Sequence, residues 1–173
     1  LRNLETSIKA AKKEKGAHVQ VAVSYTTGPV FTTDYYVDYC KKLEEAGADS
    51  ICLKDMAGLL VPYTTYELVK AIKENVNIPL QIHSHFTAGI ADMVLMKAIE
   101  AGADVVDTAL SPLANGTSHP ATESIVAALK GTEYDTGLDL VALQEVSKHF
   151  AGLRRQYLEA GLLNPKMLEV DTN

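Results

Sequence analysis

Two histidines, His83 and His85, stand one residue apart at the end of an apolar run, N-I-P-L-Q-I at 77–82. On an extended chain, residues i and i+2 point to the same face. Neutral imidazole is the commonest protein ligand for transition metals, so the pair offers half of a metal site. The plainer reading is two polar residues where a strand runs out. A catalytic metal site wants a third ligand or more, and an open position. Lys54 and Asp55, at the end of another apolar run, are the candidates. Asp55 offers a carboxylate. Lys54 reads in two ways. It reaches solvent or pairs with Asp55. Alternatively, burial leaves its amine uncharged, the amine takes up CO₂ as a carbamate, and the carbamate oxygen binds metal. Zinc, cobalt and manganese all suit two imidazoles with oxygen ligands.

The chain has 173 residues and a net charge of -6, with no basic run. That argues against a nucleic-acid partner, because phosphate binding needs clustered Lys and Arg. No long uncharged apolar stretch is present, so no direct membrane insertion is expected. The two cysteines, Cys40 and Cys52, form no C-x-x-C motif or disulfide framework, which suits a reducing cytoplasm.

The elements that must position these groups alternate. A helix is expected over 1–15, with Leu4, Ile8 and Ala11 on one face. A valine-rich strand over 18–25 follows and ends in a polar loop, S-Y-T-T-G-P. A helix capped near Thr33-Asp34 buries Tyr36, Val37, Cys40 and Leu43. A strand over 50–54 puts Cys52 and Lys54 on one face and Ile51 and Leu53 on the other. Pro62 opens the next helix. A third strand over 78–83 leads to a helix with Ile90, Val94, Ala98 and Ala101 in a stripe. A fourth strand over 105–109, a loop over 111–120, a helix over 121–129 and a long helix over 139–160 complete the order. Asn164-Pro165 would end that last helix.

One segment echoes another: E-A-G-A-D at 45–49 recurs at 100–104, each time just before a strand. Glycine there caps a helix and aspartate starts a strand. Strands alternating with helices imply βα units and a parallel sheet. Four such units are half of a TIM (β/α)₈ barrel, in which function sits where strands end and helices begin. Lys54, His83 and His85 lie at such ends, as do Tyr25 and the stretch 107–111. The expected fold class is therefore α/β: the C-terminal half of a (β/α)₈ barrel over 1–137, then a helical extension over 138–173.

L-K-D-M-A-G-L-L at 53–60, followed by His83-Ser84-His85, strongly resembles the carboxyltransferase domain of biotin-dependent enzymes. That family includes the oxaloacetate decarboxylase alpha subunit, the carboxyltransferase subunit of pyruvate carboxylase and the transcarboxylase subunit. S-Y-T-T at 24–27 and G-T-S-H-P at 116–120 resemble its loops, and the likeness runs in order along nearly the whole chain. The resemblance implies a divalent metal held by an aspartate, a carbamylated Lys54, His83 and His85. It makes Lys54 and Thr117 the catalytic residues, with Thr117 shuttling a proton between pyruvate and biotin. Tyr25 falls in the substrate-binding loop. It implies oxaloacetate or pyruvate as substrate and biotin on a carrier domain outside this chain. A cytoplasmic location follows, with any membrane association arising through partner subunits. For Thr117 the residues alone also allow a cap on the helix after Pro120.

The family's aspartate ligand belongs to a D-x-H-Q-S stretch in the other half of the barrel, and its substrate-gripping arginine lies there too. Neither is found here, and the biotin motif A-M-K-M is absent; N-P-K-M at 164–167 is not it. The expectation is a segment inactive by itself that binds metal weakly and pairs with another copy through its exposed sheet edges. Val21, Val23 and Cys52, or their neighbours, are expected on the face left open. Two other readings stay in play. One is an aldolase-like metal barrel of the hydroxymethylglutaryl lyase type, which typically shows H-x-H-N-D where this chain has His85-Phe86-Thr87. The other is an inert half-barrel.

Overall fold

In the computed structural model, residues 2–164 and 168–171 are described. Pro165, Lys166 and Met167 lie outside the described residues, so the helix stop at Pro165 and the comparison with a biotin motif do too. The elements run α1 (Arg2–Ala11), β1 (Gln20–Ser24), α2 (Thr33–Glu45), β2 (Ser50–Asp55), α3 (Pro62–Asn75), β3 (Leu80–Ser84), α4 (Ala91–Glu100), β4 (Val105–Val106), α5 (Thr122–Leu129) and α6 (Leu140–Glu159). A single 3-10 turn, Ser111–Leu113, precedes α5. The four strands form one parallel sheet in the order β1-β2-β3-β4. Sequential order in an all-parallel sheet is that of consecutive βα units in a partial (β/α) barrel.

The sheet has two unlike faces. Val21 and Val23 align with Ile51 and Leu53, then with Leu80 and Ile82, and all are buried. Against them pack Tyr36, Val37, Cys40 and Leu43 of α2, Leu68, Val69 and Ile72 of α3, and Val94, Leu95 and Ala98 of α4. Each buried Val, Leu or Ile among them contributes roughly 1.5–3 kcal/mol on burial. The other face carries Gln20, Ala22 and Ser24, then Ser50, Cys52 and Lys54, then Gln81 and His83. Pleating forces this partition, because neighbours in a strand alternate. Val21 and Val23 therefore belong to the helix-covered core, and it is their neighbours Gln20, Ala22 and Ser24 that lie on the open face. Cys52 does lie on the open face.

The repeated E-A-G-A-D joint does the same work twice. Gly47 and Gly102 end α2 and α4 at φ of 96° and 99°, a left-handed geometry that glycine adopts without strain. Asp49 then accepts the Val19 N–H at 2.7 Å, and Asp104 accepts the Leu80 N–H at 2.7 Å. Lys12 pairs with Asp49, and Lys73 with Asp104. Each aspartate thus ties its own strand's start to the strand before it.

Several boundaries differ from the sequence reading. The α2 cap is Thr32, whose Oγ1 accepts the Tyr35 N–H at 3.2 Å. The fourth strand shortens to Val105–Val106, with only an isolated bridge between Ala109 and Ala121 beyond it. No further strand lies beside β4 in the described residues to extend it. The α6 helix contacts α5 and the 3-10 turn, and Ser147 is its one buried residue. Residues 168–171 return to the main body, where the Asp171 N–H donates to Thr87 O at 3.0 Å. No described helix is long and apolar enough to cross a membrane.

Candidate metal centre

The site lies where the open face meets the strand ends. Lys54 and His83 are direct register partners on β2 and β3, and Ser24 partners Lys54 from β1. Partners on neighbouring strands point the same way about 5 Å apart, so an amine and an imidazole stand side by side. Tyr25 continues β1, and its N–H donates to Lys54 O at 2.8 Å. Its ring stacks on Tyr36 with centroids 5.4 Å apart, and burial pushes its phenol pKa up, with Tyr36 and Asp55 adding to the rise.

Asp55 does not join the group. The alternation that aims Lys54 at the open face sends Asp55 into the interior, where it is fully buried. Its carboxylate accepts the Leu59 N–H and Leu60 N–H, each at 2.9 Å, and the Ser84 hydroxyl at 2.9 Å. Asp55 is the organiser of the turn after β2 and neither a metal ligand nor the partner of Lys54.

That turn explains why K-D-M-A-G and H-x-H occur together. Gly58 has φ of 71°, and a Cβ there would stand 3.0 Å from His85 O and 3.2 Å from Ala88 N. Only glycine lets the turn press against the backbone of His85. The Asp55–Ser84 bond and the His85 N–H, which donates to Asp55 O at 3.0 Å, complete the seam.

The histidines form a group of three. His83, His85 and His119 each place one ring nitrogen within 4.8 Å of the others. Their ring centroids lie 4.3–5.2 Å apart. Each Nδ1 faces an oxygen that only accepts. His83 Nδ1 is 2.6 Å from Asp107 Oδ2, His85 Nδ1 is 2.7 Å from Thr117 O, and His119 Nδ1 is 2.9 Å from Ser84 O. Such acceptors put the proton on Nδ1 and leave a lone pair on each Nε2. Metal-bound histidines have this same arrangement, with the far nitrogen donating to a carboxylate or carbonyl. The donor set therefore fits a divalent ion. Burial holds the His119 pKa below the ordinary imidazole value, and the neighbouring His83 and His85 lower it further.

Asp107 is itself held. Gln81 Nε2 donates to both of its oxygens, at 2.9 and 2.8 Å, and Gln20 Nε2 donates to Gln81 Oε1 at 2.9 Å. A polar ladder thus crosses the open face from β1 to His83. Cys52 lies beside it with its thiol pushed up to about 11, mainly by burial, and is no nucleophile at neutral pH.

The Thr117 hydroxyl belongs to an exposed residue, while its carbonyl is occupied by His85. It does not cap α5, whose N-cap is Ala121 without a side-chain bond. Sequence reasoning brought Lys54, His83, His85 and the 107–111 strand end to one place. It assigned no role to Gln81, Asp107 or His119. Gln81 was within reach by the same i, i+2 rule that pairs the histidines. His119 comes from a loop 34 residues beyond His85, and no periodicity reports such a contact.

Residues 1–149 match the HMGL-like family. A pyruvate carboxylase subunit of Methanocaldococcus jannaschii is 60% identical over 157 residues, covering 91% of this chain and 28% of the relative. The methylmalonyl-CoA carboxyltransferase 5S subunit of Propionibacterium freudenreichii subsp. shermanii is 47% identical over 150 residues, covering 86% of this chain and 30% of the relative. The carboxyl transferase domain of Rhizobium etli pyruvate carboxylase, solved with pyruvate and biocytin, superposes with a TM-score of 0.87 at 38% identity. That match covers 90% of this chain and 27% of the solved one. The chain spans less than a third of the length of each. With its sheet order, its H-x-H pair and the family match over residues 1–149, the chain is a member of the HMGL-like family.

Proposed function

We propose that this chain forms half of a site that moves CO₂ between oxaloacetate or pyruvate and biotin borne on a carrier domain. One observation carries the reading: Lys54 and His83 are register partners, with His85 beside them, on a sheet face that is polar where a core would be apolar. In this reading His83 and His85 hold a divalent metal through Nε2. The Lys54 amine adds to CO₂ and releases a proton, and the resulting carbamate supplies an anionic oxygen. A bound ion would act as a Lewis acid beside the keto acid, favouring enolate charge.

Thr117 then has a defined task. A hydroxyl both donates and accepts, so it can carry a proton between biotin and the enolate left when CO₂ departs oxaloacetate. Tyr25, at the β1 end, packs its ring on Tyr36 of α2, on the helix side of the sheet, so it would meet substrate only at the rim of the strand ends. The relatives' names support this choice of substrates and of a biotin partner, and they favour carboxyl transfer over an aldolase-like cleavage. A cytoplasmic protein assembled from further copies completes the reading, since β1 and β4 have free edges among the described residues.

The test is exchange of label between isotope-labelled pyruvate and oxaloacetate with free biotin, in the full-length protein. His83→Ala and His85→Ala should each lose bound metal and exchange together. Full metal content with full exchange in either variant would overturn the assignment.

A further inference from the structure

We propose that α6, the helix beyond the last strand, serves the reaction by fixing the loop that carries Thr117, with Glu123 and Arg154 as positioning residues. The inference rests on the reading of Thr117 as the proton relay and extends it to residues away from the strand ends.

Three observations support it. First, the loop is tethered at both ends, and the tethers differ in origin. Its far end is tied to the chain after β3: Phe86 N–H donates to Ser118 O at 2.7 Å, and His85 Nδ1 to Thr117 O at 2.7 Å. Its near end is the 3-10 turn Ser111–Leu113, and that end is tied to the helices. The Glu123 carboxylate, on α5, accepts the Ser111 N–H at 2.9 Å and the Ser111 hydroxyl at 2.8 Å. Arg154 Nη1, on α6, donates to Pro112 O at 3.0 Å.

Second, α6 is docked by polar bonds. A helix held for stability alone buries an apolar stripe. The buried residue of α6 is Ser147, and its hydroxyl donates to Glu123. Val141, Val146, Tyr157 and Leu158 stay exposed. Glu123 thus joins α6 to the turn. Burial alone would push its carboxyl pKa up, but the bonds from Ser147 and Ser111 hold it below the ordinary value, so it is an anionic acceptor at neutral pH.

Third, the loop between the tethers is tightly wound. Asn115 and Gly116 are consecutive left-handed residues, at φ of 63° and 56°. Asn115 is the one non-glycine with positive φ among the described residues, and such a conformation persists where the surroundings enforce it. Asn115 N–H donates to His119 O at 2.8 Å, and Ser118 N–H to Asn115 O at 2.9 Å. Thr117 is exposed, so its hydroxyl takes its place from the backbone beneath it. A relay must stay within hydrogen-bond reach of both reacting groups, and a misplacement of about 1 Å costs about 10²-fold.

The experiment measures label exchange between pyruvate and oxaloacetate in metal-loaded, full-length Glu123→Gln and Arg154→Met, each made also with Thr117→Ala. Glutamine keeps the size of glutamate but lacks its second acceptor oxygen. Methionine keeps the length of the arginine stem but has no N–H. In each, kcat should fall about 10-fold or more, with the KM for pyruvate and the bound metal at wild-type levels. Arg154→Lys, which retains a donor, should recover most of the rate. Beside Thr117→Ala the same substitutions should cost nothing more, because they act through that hydroxyl. Amide hydrogen exchange at Asn115 and Ser118 should quicken in the same variants. If Glu123→Gln fails to fold, Arg154→Met carries the test alone. Wild-type kcat or unchanged amide exchange in Arg154→Met, or an equal loss with and without the Thr117 hydroxyl, would overturn the positioning role and leave the relay reading in place. Wild-type exchange of label in Thr117→Ala would overturn the relay reading itself, and this role with it.

Discussion

His83, on β3, and Asp107, just past the end of β4, stand with Nδ1 and Oδ2 2.6 Å apart, and Asp107 is fixed in turn by two hydrogen bonds from Gln81. The carboxylate does two things for the imidazole. It holds the proton on Nδ1, and it fixes the ring beside those of His85 and His119. Asp107→Asn keeps the shape but can present an amide N–H to Nδ1, which favours the wrong tautomer. Metal affinity should drop about 10–100-fold with little change in thermal unfolding of the apo protein. Competition with a colorimetric chelator measures it, and unchanged affinity would remove Asp107 from the site.

Gly58 is the hinge between the two motifs. Gly58→Ala places a methyl 3.0 Å from His85 O at a φ that alanine resists. Overpacking and left-handed strain together should cost roughly 2–4 kcal/mol. Denaturant unfolding reads that loss. Metal affinity should fall in the same variant, because the clash is with the backbone that carries a ligand.

Lys54→Ala should abolish label exchange between pyruvate and oxaloacetate. A lysine that only reached solvent or an exposed carboxylate would account for at most about 1 kcal/mol of stability and no activity. Carbon NMR with isotope-labelled bicarbonate gives a direct check. A carbamate resonance should appear in the wild type and vanish in the variant. Its absence from a metal-loaded, active wild type would count against the modified lysine.

Thr117→Ala should leave metal content and unfolding temperature near wild type, since its carbonyl, not its hydroxyl, serves His85. Carboxyl transfer should fall about 10²-fold or more. Thr117→Ser, which keeps the hydroxyl, should restore most of the rate. Wild-type transfer in Thr117→Ala would end the relay.

Much of the molecule was legible in the order of residues. Alternating apolar strands and amphipathic helices specify βα units, because each strand must cover its apolar face with the helix that follows. The repeated E-A-G-A-D joint was visible as chemistry: a glycine for the left-handed turn and an aspartate for the strand start. The i, i+2 spacing of His83 and His85 determined that they share a face, since pleating allows nothing else. The same rule parts Lys54 from Asp55, although the sequence reading keeps Asp55 as a candidate ligand and partner and only the structure shows it buried.

Register and loop return were decided only in three dimensions. Nothing in the spacing of residues 20, 54, 83 and 107 says which row each occupies across the sheet. That choice follows from how whole strands slide to bury Val21, Ile51 and Leu80 together, a sum over many contacts. The same sliding turned Val23 toward the helices and left Gln20, Gln81 and Asp107 to form a polar ladder on the open face. His119 arrives from far along the chain because backbone groups of Ser84 and Phe86 capture its loop. Hydrogen bonds to a carbonyl carry no side-chain signature, and that is why the third histidine was readable as a residue but not as a neighbour.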